Sequence, residues 1–293
     1  MNGDEQAIPK RVRKRPRRAA YALPTLFTSG NIFLGFVAIL QAFQGALQAG
    51  AGDFGINSHF VLAAKALGFA AFLDALDGGI ARLTNTASDF GRELDSLADA
   101  ITFGLAPAVL ALTWGVLFAV APDQPLQSHL TRVGYLVSFF YLLCGTVRLA
   151  RFNVQTNPSA SNAMRPERKY FAGMPIPAGA LFVAAVVYME GSPVRSFALA
   201  VTWMCGLAIV SLLMVSTWRY PSFKQISVSK PHTPLIVVLI GGAAFLIWNW
   251  AQPMLLAMAC AYVASGICMR IGGFIRRRRK SRPPARLPER QVG

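Results

Sequence analysis

Residues 74–99 read DALDGGIARLTNTASDFGRELDSLAD, and this stretch decides the fold of the chain. Four of its aspartates are Asp74, Asp77, Asp95 and Asp99, and the sequence on both sides is largely apolar. A charge at membrane depth costs at least about 2.5 kcal/mol, even on the lenient insertion scales. Four such acids need a compensating partner, and the simplest partner is a cation.

The composition indicates an all-α, polytopic transmembrane helical bundle. The chain has 293 residues, of which 54% are hydrophobic and 14% are charged, whereas soluble domains are about 25% charged. Several apolar runs reach the roughly 20 residues that a helix needs to cross a bilayer. We expect eight spans, which fall near 23–49, 59–82, 92–120, 133–153, the segment ending at 190, 197–217, 235–250 and 254–271. Pro107 should kink the third span, because proline removes a backbone hydrogen bond.

The same pattern divides the chain into four parts. We expect a basic N-terminal arm (1–20), a membrane domain (21–220), a loop with two further spans (221–273) and a basic tail (274–293). All but Lys65, Arg132 and Arg195 of the 29 Lys and Arg residues fall in the tails, in alternate links or in the helix ends that flank those links. This positive-inside distribution predicts an integral membrane protein with both termini and the aspartate stretch in the cytoplasm. The family resemblance described below implies the inner membrane of a prokaryote. The same distribution argues against nucleic acid as a binding partner, although the net charge of the chain is +16. Six spans, with the last two forming a re-entrant hairpin, would leave the same sides cytoplasmic.

Helical spacing divides the aspartates into two pairs. Asp74 and Asp77 are three residues apart, and Asp95 and Asp99 are four apart, so each pair shares one helix face. If the two helices pack as neighbours, the four carboxylates converge. Carboxylate oxygens are ligands of hard ions such as Mg²⁺ or Mn²⁺. The absence of a nearby histidine argues against zinc.

The residues between the pairs fit a phosphate-bearing ligand. Gly78, Gly79 and Ala81 remove bulk beside the acids, which lets a helix or a ligand approach closely. Arg82 supplies a cation one turn further on that is suited to phosphate. Acids, small residues and arginine together indicate a nucleotide-diphosphate site.

The stretch resembles the signature of the CDP-alcohol phosphotransferase family, D-x2-D-G-x2-A-R-x8-G-x3-D-x3-D, without departure. The resemblance implies a core of six membrane helices, a homodimer, and displacement of CMP from a CDP-linked lipid or alcohol. It implies two divalent ions, Mg²⁺ or Mn²⁺. The implied metal ligands are Asp74, Asp77, Asp95 and Asp99, and Asp99 is also the implied catalytic base. The implied nucleotide-binding residues are Thr28, Asn31, Gly78, Ala81, Arg82 and Gly91.

Other segments resemble the membrane-embedded phosphatidylserine synthases within that family. They read SLADAITFGLAPA, CGTVRLARFN, FAGMPIPAGA and MVSTWRYPSFK. The resemblance implies CDP-diacylglycerol and L-serine as substrates. Serine carries a carboxylate, and Arg148, Arg151 or Lys224 could bind it or a lipid phosphate. Each of these residues is equally well explained as a positive-inside anchor.

Two other interpretations remain open at this stage. The acceptor could be inositol phosphate, glycerol phosphate or choline, with the same chemistry. The aspartates could instead form the ion path of a cation transporter. Transporter sites lie near the bilayer midplane, often beside broken helices, whereas these acids lie at a helix end beside a polar link.

Overall fold

The computed structural model describes residues 18–84, 89–156, 171–220 and 249–280, and they are almost entirely helical. The helices are α1 (Arg18–Gly50), α2 (Ser58–Thr84), α3 (Asp89–Asp99), a π-helix (Ala100–Leu105), α4 (Ala106–Gly115), α5 (Gln124–Thr156), α6 (Ile176–Glu190), α7 (Phe197–Val215) and α8 (Ala251–Lys280). The strands β1 (Phe171–Ala172) and β2 (Arg219–Tyr220) form one short antiparallel pair. The predicted all-α class is confirmed.

Among the residues that the structure describes, six helical segments are long and apolar enough to cross a membrane. They are Leu26–Gly50, Ser58–Asp77, Phe90–Gly115, Gln124–Val154, Phe197–Val215 and Ala251–Arg270. The apolar helix α6 is shorter, at 15 residues. Residues 235–248 of the predicted seventh span lie outside the described part of the chain, so the predicted total of eight stays a prediction.

Helix α5 begins nine residues before the predicted start at Val133. The carboxylate of Asp123 accepts a hydrogen bond from the Leu126 amide at 2.8 Å. This contact satisfies one of the free amides of the first turn, as an N-cap does. The cap lies in a polar segment, so hydropathy places the start of the helix too late.

The helices pack around α2 and α4 as the central elements. α1 lies along α2 and also contacts α4, and α6 packs on the other side of α2. α5 pairs with α7, and α8 packs against α6. Large side chains that are fully buried in this core include Phe60, Leu67, Phe103, Leu110 and Tyr141.

The third predicted span contains a π-helix that ends two residues before Pro107, and the predicted kink at Pro107 stays a prediction. Proline has no N–H, so it cannot donate to the carbonyl of Phe103 four residues earlier. The hydroxyl of Tyr141, from α5, donates to that carbonyl at 3.2 Å. Within the π-helix the hydrogen bonds reach five residues back, as from the Ala106 amide to the Ile101 carbonyl. A residue of a neighbouring helix therefore stabilises the break that proline causes.

The π-helix also lies unusually close to α1. A β-carbon placed on Gly35 would come within 2.9 Å of the Thr102 Cα, a distance that real side chains do not tolerate. The Thr102 hydroxyl, in turn, donates to the Asn31 carbonyl at 3.0 Å. Glycine in α1 thus permits backbone contact with the turn that follows Asp99.

We predict that Tyr141→Phe destabilises the protein by about 1–2 kcal/mol, because the buried bond to the Phe103 carbonyl is lost. Titration with SDS in mixed micelles should give an earlier unfolding midpoint. Tyr135→Phe is the matched control, since Tyr135 is on the same helix and is 52% exposed. Equal midpoints for both variants and the parent protein would contradict this role for Tyr141.

Candidate active site

Three of the four aspartates converge between α2 and α3. Carboxylate oxygens of Asp74, Asp95 and Asp99 lie within 4.8 Å of one another. All three side chains are half-buried. Like charges at this separation repel strongly where water is scarce. The group therefore has the donor set and the electrostatic need of a site for a hard cation.

The fourth aspartate is held by α1. The Thr28 hydroxyl donates to Asp77 Oδ2 at 3.0 Å, and Asp77 is only 7% exposed. The charge of Asp77 acts on both Asp74 and Asp95, so it lies beside the group of three. The hydrogen bond fixes one oxygen of Asp77 and leaves the other oxygen for a further ligand.

Two buried carboxylate oxygens indicate whether the site suits a metal ion. Asp77 Oδ1 and Asp99 Oδ1 are buried, and neither has a hydrogen-bond partner among the described residues. A buried anionic oxygen without a partner is costly. A divalent cation at the group of three would satisfy Asp99 Oδ1, with Asp74 and Asp95 as further ligands, and a cation beside that group would satisfy Asp77 Oδ1. The residues present therefore fit the metal that the sequence predicts.

Asn31 is a second buried polar group without a visible partner. Its side chain is 2% exposed, and neither its amide oxygen nor its amide nitrogen is hydrogen-bonded within the described structure. It lies three residues after Thr28, so both side chains are on the face of α1 that meets α2 and the π-helix. A buried side-chain amide is stable only if a hydrogen-bond partner accepts from its nitrogen or donates to its oxygen. Asn31 thus offers a directional contact next to the acids.

The two predicted arginines contact the end of α7. Arg148 donates to the Met214 carbonyl at 3.3 Å, and Arg151 donates to the Val215 carbonyl at 3.1 Å. Cations at a helix C-terminus satisfy its last carbonyls and its dipole. A guanidinium carries five N–H donors in a planar fork, which is the geometry that binds carboxylates and phosphates.

The segment before α6 closes around Arg148. Gly173 has φ of +81°, and a β-carbon there would lie 2.8 Å from an Arg148 guanidinium nitrogen. The Gly173 amide donates to the Trp218 carbonyl at 2.8 Å, and the Met174 amide donates to the Leu213 carbonyl at 3.0 Å. The glycine therefore lets this segment lie against both the end of α7 and the arginine.

The structure describes the other predicted site residues only in part. Gly78, Ala81 and Arg82 lie in the last turns of α2, and Gly91 lies in the first turn of α3. The side chain of Arg82 is outside the described part of the structure, and so is all of Lys224.

Some site residues carry no signal in the sequence. Asn153 of α5 donates to the Ser96 hydroxyl at 3.0 Å and ties α5 to the helix of Asp95 and Asp99. Tyr262 of α8 lines the same cavity as Asp74. Single polar residues in apolar spans are common, so only the three-dimensional structure identifies these contacts.

Fold and site together define a membrane-embedded protein with an acidic, metal-compatible centre at one end of a helical bundle. Residues 21–212 match the family described as CDP-alcohol phosphatidyltransferase. The chain belongs to this family.

The chain is similar to three curated relatives of related description. A CDP-diacylglycerol–serine O-phosphatidyltransferase of Helicobacter pylori (strain ATCC 700392 / 26695) is 35% identical over 77% of this chain and 82% of its own length. One of Bacillus subtilis (strain 168) is 32% identical over 69% of this chain and 92% of its own length. An archaetidylserine synthase of Methanothermobacter thermautotrophicus is 32% identical over 68% and 70% of the two chains.

We predict that Asp77→Ala weakens Mn²⁺-dependent binding of CDP by at least about tenfold, because a buried carboxylate oxygen is lost from the centre. Thr28→Val should have a smaller effect in the same direction, because it removes the hydrogen bond that holds Asp77 but keeps the Asp77 carboxylate. Calorimetric titration of CDP with and without Mn²⁺ measures both.

Asp53→Ala is the control for this comparison. Asp53 is an exposed loop residue that bonds to Gln48 and Gly55, away from the acids. Unchanged CDP binding in Asp77→Ala would exclude Asp77 as a ligand of the metal.

Proposed function

We infer that this protein transfers the phosphatidyl group of CDP-diacylglycerol to L-serine, which gives phosphatidylserine and CMP. The observation that carries the proposal is the convergence of Asp74, Asp95 and Asp99, three acids of the family signature, at one centre. The names of the relatives support serine as the acceptor.

The reaction exchanges one phosphorus–oxygen bond for another. The serine hydroxyl oxygen attacks the phosphorus that carries the diacylglycerol. The bond from that phosphorus to the bridging pyrophosphate oxygen breaks, and CMP leaves with the electron pair. The proton of the serine hydroxyl must pass to a base as the new bond forms.

The acids would hold Mg²⁺ or Mn²⁺, with two ions fitting the number of carboxylates. Asp74, Asp77 and Asp95 are the proposed ligands, and Asp99 shares one ion. A bound divalent metal neutralises the pyrophosphate and the charge that develops on it. The chain itself supplies the arrangement, since the hydrogen bond from Thr28 holds Asp77 in place before the substrate arrives.

Asp99 is the proposed general base. Its carboxylate has two oxygens: the buried Oδ1, which has no partner among the described residues, is proposed for the metal, and the other oxygen is proposed to accept the proton. It ends α3 immediately before the π-helix, whose altered hydrogen bonds separate it from the regular helix that follows. A carboxylate positioned on the acceptor hydroxyl lowers the barrier of the transfer step.

Binding of the nucleotide is proposed for the ends of α1, α2 and α3. Asn31 offers a buried amide for the base, the ribose or a phosphate, and Thr28 lies one turn away. The small residues Gly78, Ala81 and Gly91 admit the diphosphate, and Arg82 supplies a matching charge.

Serine binding is proposed for the opposite side of the centre. The carboxylate of serine would pair with Arg148 or Arg151, because a planar guanidinium suits a planar anion. Lys224 is a further candidate for this anion or for a lipid phosphate. We also propose that the acids and both termini face the cytoplasm, and that the protein is a homodimer.

We predict that Asp99→Asn abolishes turnover but leaves binding of CDP-diacylglycerol within a few-fold, because an amide cannot take the proton. CMP release and lipid binding should be measured on the same detergent preparation. Asp123→Asn is the matched control, since asparagine also caps a helix. Full turnover by Asp99→Asn would exclude Asp99 as the base.

The identity of the acceptor is tested directly with the purified protein in lipid. We expect labelled serine to enter phospholipid, and CMP to appear, only when a divalent metal is present. Inositol phosphate, glycerol phosphate and choline should give no labelled lipid. A product with one of these alcohols instead would overturn serine as the acceptor, and metal flux without CMP release would favour a transporter.

A further inference from the structure

A hydrogen bond between two side chains joins α3 to α5 beside the acidic centre. The Asn153 amide nitrogen of α5 donates to the Ser96 hydroxyl of α3 at 3.0 Å, and both side chains are half-buried. Ser96 lies between Asp95 and Asp99 on α3. Neither Asn153 nor Ser96 belongs to the family signature, and the chemistry proposed above leaves their contact without a role.

Two contacts bracket the part of α5 that carries Arg148. The Tyr141 hydroxyl donates to the Phe103 carbonyl at 3.2 Å, and Asn153, twelve residues further along α5, contacts Ser96. The second contact falls earlier in the partner segment than the first, so α5 runs in the opposite direction to α3 and the π-helix. The contacts therefore fix α5 at two points, about 18 Å apart along its axis.

Arg148 and Asp99 lie at a similar height between these two contacts. On α5, Arg148 is seven residues from the first contact and five from the second. On the neighbouring segment, Asp99 is four residues from the first contact and three from the second. The two residues thus divide their segments in nearly the same proportion. A proposed ligand of the serine carboxylate and the proposed base are therefore level with each other on neighbouring helices.

The separation of these two groups matters for the acceptor. The carboxylate and the hydroxyl group of serine are joined through two carbon atoms, so the protein groups that bind them must be held at one distance. A misplacement of about 1 Å, caused by a change away from the reacting atoms, can lower a rate by about a hundredfold. Arg148 ties this end of α5 to α7, and Asn153 ties it to the helix of the acids.

A neutral amide suits position 153 because of the charges that surround it. An aspartate there would add another carboxylate near a group that already repels strongly. A lysine or an arginine would place a fixed cation next to a centre that suits a metal ion. The amide of Asn153 contacts Ser96 without either effect.

We propose that Asn153 is a positioning residue for the acceptor, and that its hydrogen bond to Ser96 sets the distance between Arg148 and Asp99. The proposal rests on the function proposed above, because these two groups bind the carboxylate and the hydroxyl of serine only if serine is the acceptor. Asn153 acts through the two helices and needs no contact with serine or with the metal.

A double-mutant cycle tests the proposal with Asn153→Ala, Ser96→Ala and the variant that carries both changes. Each single change should lower kcat/KM for serine at least about tenfold, because either one removes the same hydrogen bond. The double variant should fall no more than about threefold below the single variants, since residues that act as one unit are not additive. Calorimetric binding of CDP with Mn²⁺ should stay within about threefold in all three variants, because the residues proposed to bind the nucleotide lie outside α5.

Two further variants serve as controls. Ser96→Thr keeps a hydroxyl at this position and should retain kcat/KM for serine within about threefold. Gln252→Ala removes an exposed amide of α8 that donates to the Tyr188 carbonyl of α6 at 3.0 Å, and neither helix carries a signature acid. This change should leave kcat/KM for serine within about twofold of the parent protein.

Four results would overturn the proposal. They are an unchanged kcat/KM in Asn153→Ala, an equal fall in Gln252→Ala, a double variant with the summed losses of the single variants, and an equal loss of CDP binding. The last result would show that the hydrogen bond supports the fold in general rather than the acceptor. If the parent protein releases no CMP with serine, the proposed function itself has failed and this inference fails with it.

Discussion

The structure depends on one electrostatic constraint, which is the crowding of carboxylates in an apolar bundle. Asp74, Asp95 and Asp99 bring oxygens within 4.8 Å of one another, and Asp77 lies beside them. No arrangement of apolar helices stabilises such a group, because burial and mutual repulsion both oppose it. The fold therefore keeps α2 and α3 in a geometry that a bound cation favours, and metal binding should stabilise it as well as enable the reaction.

Helices α1 and α5 maintain this geometry through contacts that do not involve the acids of α3 directly. α1 holds Asp77 through Thr28 and meets the π-helix at Gly35 and Thr102. α5 supplies the Tyr141 hydroxyl to the Phe103 carbonyl, beside the break before Pro107. The π-helix begins immediately after Asp99, so the last acid of the signature is at the point where the regular helix ends. Irregular turns of this kind occur frequently at functional sites.

The sequence was sufficient to predict the all-α class and which acids share a helix face, because spacing alone determines which residues of a helix lie on one face. It could not show that Asp77 is bound by Thr28, since that contact depends on how α1 lies against α2. Likewise, Arg148 and Arg151 were predicted as anion ligands or anchors, and their contact with the end of α7 follows only from the packing of α5. The predicted start of α5 lies too far along the chain, because its first turn and its capping residue are polar and hydropathy does not assign polar residues to a span. The residues of the predicted seventh span up to 248 lie outside the described chain.

The signature acids lie within the matched core, whereas α8 lies outside it. The chemistry needs acids on two helices that share one short link, and 21–212 contains both helices. A lipid substrate has a second requirement, because its tails must remain in an apolar environment while its diphosphate lies at the acids. The described residues beside Asp74 include an apolar cavity that is lined by α2, α6 and α8. α8 packs against α6 and carries none of the signature acids, so changes in α8 leave these acids in place.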